Sequence, residues 1–387
     1  MSLPLNLYME EEEKWRELLK EVKVTKDSVG KRDVWLTQTE VDIINTPEFQ
    51  RLRRRFQLGP AHLVYKDATH TRFSHSIGVL YWAQRIIDSI NRNHDNYGVG
   101  SRLHSYQIFL TRIVALLHDL DYTCFGHILA DEGRLLQKQW KDKKRAEKLL
   151  LSAESNVRKA IVKNLVAVFG KEKGEKNANT VIEQIKNILM ESDLKKLGDL
   201  AFIADIVQNT ICADLLDYLE RDTWFTGTFG SYDQRLITYC TLQTYNGEKR
   251  LVIRLFKKDS KDVRWDVIHA ILDCLRLRYK LASTVYFHHT RQRASAMIIK
   301  MVSAAMRAGV ISEESLSMLD DFSLTNFILQ QDESKIKDET KLKDLQIAKK
   351  LAIRLENREL YKPLLELSTS CKLKHVSSPL LLVLYFL

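Results

Sequence analysis

Proline and glycine are scarce in this 387-residue chain, five and 14 residues respectively, so turns are few and long helices are expected. Cysteine is equally thin. Cys124, Cys212, Cys240, Cys274 and Cys371 are odd in number, widely spaced and without a CxxC pair, which excludes a disulfide framework and a thiolate zinc site and points to reduced thiols in a cytoplasm. No apolar run approaches the roughly 18 residues of a membrane span. The most apolar segment, Pro379–Leu387 (PLLLVLYFL), has only nine; it reads as a tail buried in the fold or docked on a partner, or as a truncated end. The opening residues, MSLPLNLYMEEEEKW, are acidic where a signal peptide would be basic and then apolar.

With 45% apolar and 28% charged residues, the chain is neither disordered nor collagenous nor a secreted mini-protein. Its length suits two or three units, or one large helical domain with appendages, and allows a sizeable core. Sixty Lys and Arg against 50 Asp and Glu leave a net charge of +10, which favours anionic partners in general. The densest basic patches are Arg51–Arg55 (RLRRR) and Lys138–Lys148. Each reads as a solvated helix face or as a phosphate site.

Helical periodicity dominates. Ser74–Asn91 places Ile77, Leu80, Tyr81, Ile86, Ile87 and Ile90 largely on one face, and Tyr106–His118 is apolar nearly throughout, as in a helix buried in a core. Residues 202–222 and 263–306 predict further long helices. One β feature interrupts them: strand-like runs Leu236–Thr244 and Arg250–Phe256 flank Asn246-Gly247, the strongest short hairpin signal. Lys171–Asn179 (KEKGEKNAN) and Gln331–Lys343 read as loops or linkers. The expected architecture is mainly α, with a small antiparallel β-hairpin and a short C-terminal helical appendage. Residues 1–24 form an acidic leading segment, 25–330 one catalytic body, and 331–387 the linker and appendage.

The histidines crowd into one region, with none between His127 and His269. His118 and Asp119 end an apolar helix (IVALLHDLD), where burying an imidazole beside a carboxylate costs several kcal/mol unless both are satisfied. A metal ion or a structural His–Asp pair would satisfy them. Asp214, Tyr218 and Asp222, spaced i, i+4 and i+8, make one polar stripe on an otherwise apolar helix, and His75 lies near the start of its own amphipathic helix. Two imidazoles and two carboxylates from three helices would form a mixed N/O site for Mn, Fe, Ni, Co or Zn, with Mg as a further option.

The pattern His75…His118-Asp119…Asp214 resembles the H…HD…D signature of the HD-domain metal-dependent phosphohydrolases. The blocks Asn45–Arg53 (NTPEFQRLR), Gln57-Leu-Gly59, Val64-Tyr65, Ala68–Val79 (ATHTRFSHSIGV), Ala115–Asp119 (ALLHD) and Asp214–Asp222 (DLLDYLERD) resemble its deoxynucleoside triphosphate triphosphohydrolase, or dGTPase-like, branch. The similarity runs from Val34 to Met301. It implies an HD-domain helical fold in which His75, His118, Asp119 and Asp214 bind one divalent metal. Gln57 would contact the 3′-hydroxyl of a deoxynucleotide and Leu58 crowd out a 2′-hydroxyl. Arg72 would pack on the base or contact phosphates, Tyr218 and Asp222 face the sugar, Arg278 bind phosphate and Tyr286 pack on the sugar. A homo-oligomer is also implied.

One stretch departs from the family pattern. Family members continue the HD block as His-Asp-(Ile/Leu)-Gly-His-Gly-Pro-Phe-Ser-His, whereas this chain has His118-Asp-Leu-Asp-Tyr-Thr-Cys-Phe-Gly-His127. Tyr122 replaces the first of the two following histidines, an acid/base group in the family, and His127 remains. A further family histidine, in a His-Glu pair, has no counterpart; Ala146-Glu147 or Ala153-Glu154 stands in its place. Losing such groups removes about 10²–10⁴-fold in rate, and Tyr122, Asp121, Asp131 or Glu132 are the available substitutes. The leading reading is a metal-dependent enzyme cleaving dNTP to deoxynucleoside and tripolyphosphate. The alternatives are an HD-type nuclease or phosphodiesterase acting on single-stranded nucleic acid, and a catalytically weak nucleotide-binding protein. No membrane partner is expected.

Overall fold

A computed structural model describes residues 11–135, 149–150, 152–191, 193–258 and 260–363; the Lys138–Lys148 patch and the Pro379–Leu387 tail lie outside them. Helix α1 (Glu12–Leu18) buries Trp15 and Leu18, and the Trp15 ring packs on Tyr106, Phe109 and Phe169. Strands β1 (Glu21–Asp27) and β2 (Arg32–Thr37) follow as an antiparallel hairpin. Thr37 and Glu40 close a capping box on α2 (Gln38–Ile44), each satisfying an otherwise unpaired N–H. Helix α3 (Pro47–Gln50) has proline in its first turn, where the missing N–H is harmless.

The two most apolar periodic runs become α4 (Arg72–Tyr97), ended by Gly98 in the left-handed region, and α5 (Ser105–Leu117). Helices α6 (Asn156–Phe169) and α7 (Lys171–Met190) pack against each other. The expected loop at Lys171–Asn179 is therefore the first half of α7. Its lysines, glutamates and alanine are good helix formers, and Gly174 and Ala178 are buried. Gly174 is a contact point, since a Cβ there would meet the Val166 backbone at 2.5 Å.

The expected helix over 202–222 is two helices, α8 (Ala201–Gln208) and α9 (Ala213–Thr226). The extended break at Asn209–Cys212 lets Cys212 cap α9 through its sulfur and places Asp214 in the first turn. Strands β3 (Cys240–Tyr245) and β4 (Glu248–Ile253) pair antiparallel across Asn246-Gly247. Both turn residues have positive φ, 50° and 83°, as a two-residue hairpin turn requires. Residues 234–239 form a 3-10 turn instead of strand.

The expected helix over 263–306 divides as well. Helix α10 (Trp265–Leu281) runs into a π-helical turn, Ala282–Tyr286, and α11 (His289–Arg307) starts afresh after His288. Short helices α12 (Glu313–Met318) and α13 (Ser323–Leu329) lead to α14 (Glu339–Glu356). Only part of Gln331–Lys343 is loop, because Glu333–Lys335 forms a 3-10 turn and Asp338 caps α14.

Two apolar clusters hold these elements. The larger runs through α1, α4, α5, α7, α8 and α9. In the second, Met297, Met301, Leu324, Ile328 and Leu351 close over Cys124, Ile128 and Leu129, the segment just after the HD pair. Each such buried side chain contributes about 1.5–3 kcal/mol, so the C-terminal helices fasten the segment that carries Tyr122 and His127. Among the described residues no helix is long and apolar enough to cross a membrane.

Candidate metal centre

Three helix ends converge. Helix α4 presents His75 from its first turn, His118 caps the C-terminus of α5, and Asp214 lies in the first turn of α9. One ligand atom from each lies within 4.8 Å of the other two. His75 Nε2 is 3.0 Å from Asp214 Oδ1 and 3.2 Å from His118 Nε2. Asp119 stands slightly further out, its oxygens 3.5 Å from His118 Nε2 and 3.8 Å from His75 Nε2.

The far sides of the rings show that these residues fit a metal. His75 Nδ1–H donates to Asp217 Oδ2 at 2.8 Å, and His118 Nδ1–H donates to the Ala115 carbonyl at 2.9 Å. Both Nδ1 atoms thus hold the proton in the neutral ring, and two Nε2 lone pairs face each other. Only a cation satisfies that arrangement. Without one, a proton serves. Burial opposes the charged ring of His75, but its hydrogen bonds to Asp214 and Asp217 outweigh it and push its pKa up to about 10. Burial likewise raises the Asp119 carboxyl, yet the charges of His118, Arg72 and His75 hold it well below the usual carboxylate range.

Asp217 is fully buried. Arg221 holds it through Nε and Nη2, and Arg221 in turn pairs with Asp27 of β1 at 2.6 Å. Burial alone would raise the Asp217 carboxyl, but Arg221 and His75 bring it well below its ordinary value. Gly78, one turn past His75, makes room: a Cβ there would collide with the Asp217 carboxylate and the Arg221 guanidinium. The sequence reading missed Asp217, Arg221 and Asp27. Asp217 had a signal, since i+3 from Asp214 falls on the same helix face as i+4.

Beside the centre, Arg72 Nη1 donates to Asp119 Oδ2 at 2.5 Å and its guanidinium lies over the Tyr122 ring at 3.8 Å. Burial, then the Asp119 charge, push the Tyr122 hydroxyl well above its ordinary pKa. The Tyr122 hydroxyl lies 3.2 Å from His127 Nε2, and His127 Nδ1 lies 2.7 Å from Asp131 Oδ2. Asp131 belongs to the π-helical turn Ile128–Glu132, so the two π turns, this one and Ala282–Tyr286, both carry residues around the centre, as such bulges often do. Asp121 lines a cavity of about 100 Å³ with Leu117, His118 and Met190. Glu132 is taken by Arg291 at 2.8 Å, Glu154 is exposed, and Ala146-Glu147 lies outside the described residues.

The chain is similar to known proteins in both halves. A family model described as "HD associated region" matches residues 249–377. An uncharacterized protein of Methanocaldococcus jannaschii is 30% identical over 308 residues, 79% of this chain and 55% of the relative. A deoxynucleoside triphosphate triphosphohydrolase SAMHD1 homolog of Dictyostelium discoideum is 25% identical over 325 residues, 83% of this chain and 56% of that protein. The deoxynucleoside triphosphate triphosphohydrolase SAMHD1 of Danio rerio is 30% identical over 231 residues, 54% of this chain and 35% of its own length. The chain belongs to the HD-domain, dNTPase-like superfamily. It spans a little over half the length of the first two relatives and about a third of the last.

In this HD-domain chain, α9 links the cluster to a second polar group. Asp222, two turns beyond Asp214, is buried; its Oδ1 accepts from His70 Nε2 at 2.8 Å and its Oδ2 from the Tyr286 hydroxyl at 2.6 Å. Burial first, then Asp222, push the Tyr286 phenol well above its ordinary pKa. Tyr218 lies between, its ring 6.4 Å from that of Tyr286; burial raises its pKa while the Arg278 charge works against the rise. Arg278 itself is exposed. Gln57 N–H donates to the His70 carbonyl at 2.9 Å, its buried Oε1 has no hydrogen-bond partner among the described residues, and Leu58 packs on the main core. His70 was not singled out from the sequence, yet it touches both Asp222 and Gln57.

The Arg51–Arg55 patch divides: Arg53 and Arg54 are exposed, as a solvated face would be, whereas Arg51 and Arg55 are drawn into the fold. Arg51 donates to the carbonyls of Leu120 and Ser317 at 2.5 and 2.9 Å, Arg55 is buried and donates to those of Tyr122, Ser317 and Leu319, and Arg54 pairs with Asp320 at 2.9 Å. Arg53 lies over the Phe73 ring. Two of the four arginines are turned inward as carbonyl clamps.

Proposed function

We propose that this chain is a metal-dependent phosphohydrolase that cleaves a deoxynucleoside triphosphate to deoxynucleoside and tripolyphosphate. The observation that carries this reading is the buried, unpartnered Gln57 Oε1, held by its backbone to His70, whose ring holds Asp222. An unsatisfied buried acceptor costs about 1–3 kcal/mol, and a ligand hydroxyl would relieve it. The 3′-hydroxyl of a deoxyribose suits that place, with Leu58 beside it and Tyr218 and Tyr286 flanking the ring.

His75, His118, Asp119 and Asp214 would hold a divalent ion of the Mn, Fe, Ni, Co or Zn kind. Bound there, it would polarise an α-phosphate oxygen and acidify a water. Arg278 would meet the triphosphate from the exposed side. Arg72, committed to Asp119, would act chiefly by fixing that carboxylate. His127, backed by Asp131 and facing the Tyr122 hydroxyl, would hand a proton to the departing oxygen. The inward use of Arg51 and Arg55 leaves only Arg53 and Arg54 exposed in one of the two patches that favoured a strand-binding groove.

The test is incubation with Mn²⁺, each of the four dNTPs and a single-stranded oligonucleotide, with products identified by mass spectrometry and His118→Ala as control. Deoxynucleoside and tripolyphosphate, absent with the variant, are expected. A shortened oligonucleotide with intact dNTPs would make the chain a nuclease, and binding without turnover would leave a nucleotide-binding role.

A further inference from the structure

Asp321 lies on the turn between α12 and α13, far in sequence from the HD pair, and is 7% exposed. Its two oxygens go to two different loops. Oδ2 accepts from the backbone N–H of Phe56 at 2.8 Å, and Oδ1 accepts from that of Phe125 at 2.6 Å. Phe56 precedes Gln57 and Leu58; Phe125 lies between Tyr122 and His127. The backbone around Asp321 is tied to the same loops, since the Ser317 and Leu319 carbonyls accept from Arg55, whose guanidinium also reaches the Tyr122 carbonyl.

We infer that Asp321 is a positioning residue that sets the sugar-reading loop and the acid/base loop at one fixed spacing, and that the region carrying α12 to α14 completes the site from outside. The inference rests on the function proposed above for what those loops do. None of the four metal ligands lies on either loop, so Asp321 acts on one half of the site and leaves the metal half alone. A carboxylate offers two acceptors to two N–H groups. Asparagine offers one, and turns its own N–H₂ toward the other loop's donor. Asp321→Asn therefore releases Phe56 or Phe125 and loosens the spacing between Gln57 and His127.

The experiment compares wild type, Asp321→Asn and Asp344→Asn. The last removes the Arg307–Asp344 pair between α11 and α14 and serves as a control for general loosening of the C-terminal region. Amide exchange, Mn²⁺ affinity, and the ratio of kcat/KM for dGTP over GTP are measured on each. In Asp321→Asn, exchange should rise at residues 56–58 or 122–127 and not across α4, α5 and α9. Mn²⁺ affinity should stay within threefold, and the dGTP-over-GTP ratio should fall at least tenfold; Asp344→Asn should change none of these.

Unchanged exchange in both loops, or a rise spread evenly over the molecule, overturns the inference. So does an equal loss of Mn²⁺ affinity. If wild type hydrolyses no nucleotide, the proposed function fails, and the exchange pattern with the Mn²⁺ titration still decides the positioning role. Should Asp321→Asn not fold, Asp321→Glu, which keeps both acceptors but advances them by a methylene, is carried through the same measurements with the same outcomes decisive.

Discussion

Asp217 accepts the Nδ1–H of His75 through one oxygen at 2.8 Å and binds Arg221 through both, at 2.7 and 2.9 Å. The carboxylate thereby fixes which nitrogen of His75 carries the proton and leaves Nε2 bare toward His118 and Asp214. Carboxylate partners of this kind commonly account for about 10–100-fold in metal affinity.

Asp217→Asn should therefore weaken Mn²⁺ binding by about that factor while leaving His118 and Asp214 in place. The asparagine can still meet Arg221 through its oxygen, but its N–H₂ opposes the ring proton. Calorimetric Mn²⁺ titration of the metal-free protein checks this. An affinity equal to wild type would mean that packing alone orients the ring.

Gly78→Ala tests the same contact from the other helix. The added Cβ would press on Asp217 and Arg221, both buried, and overpacking of a filled site costs about 1–3 kcal/mol, occasionally more. We expect a loss of stability at the upper end of that range in urea unfolding, with weakened Mn²⁺ binding. A variant as stable as wild type would show that α4 and α9 can part without cost.

Much of this centre could be read from residue spacing. Helices α4 and α5 follow from apolar periodicity, the β3–β4 turn from Asn246-Gly247, and the convergence of His75, His118 and Asp214 from ionisable side chains placed in apolar helix turns. What escaped has physical reasons. Lys171–Asn179 looks like a linker because its buried residues, Gly174 and Ala178, carry little apolar bulk, and the value of Gly174 is closeness to Val166. Arg51 and Arg55 look like surface charge because nothing local reveals that carbonyls 69 and 262 residues away will receive them. The β1–β2 hairpin has no Asn-Gly turn to announce it; residues 12–24, expected in an acidic leading segment, supply Trp15 to the core, and the end of β1 supplies Asp27 to Arg221.

The Tyr122–His127–Asp131 chain separates two candidates for the proton donor, the retained His127 and the Tyr122 that replaces the missing histidine. His127 is held from behind by Asp131, whereas the Tyr122 hydroxyl is pushed away from ionisation by burial and Asp119. His127→Ala should lower kcat about 10²-fold or more with KM changed little, and Tyr122→Phe should cost less than tenfold. Steady-state kinetics on the dNTP turned over fastest decides it; the reverse order would assign the proton to Tyr122.

Asp321 also makes stability depend on pH. Burial outweighs the hydrogen bonds from Phe125 and Phe56 and the charges of Arg55 and Arg72, raising its carboxyl from 3.8 to about 6. Between these values the unfolded chain has released a proton that the folded protein still holds, so folding loses stability as pH rises from 4 to 6. A shift of about two units corresponds to about 3 kcal/mol. Asp321→Asn lacks this titration. The unfolding free energy of the variant minus that of wild type should therefore climb by about 3 kcal/mol between pH 4 and pH 7, whatever its value at pH 4. Urea titrations of both proteins across that range measure the difference directly, and a flat line would mean that the carboxylate keeps an ordinary pKa and that its two hydrogen bonds fully offset burial. A climb would mean that the protein retains, at neutral pH, a buried charge that weakens the fold in order to hold two loops of the site together.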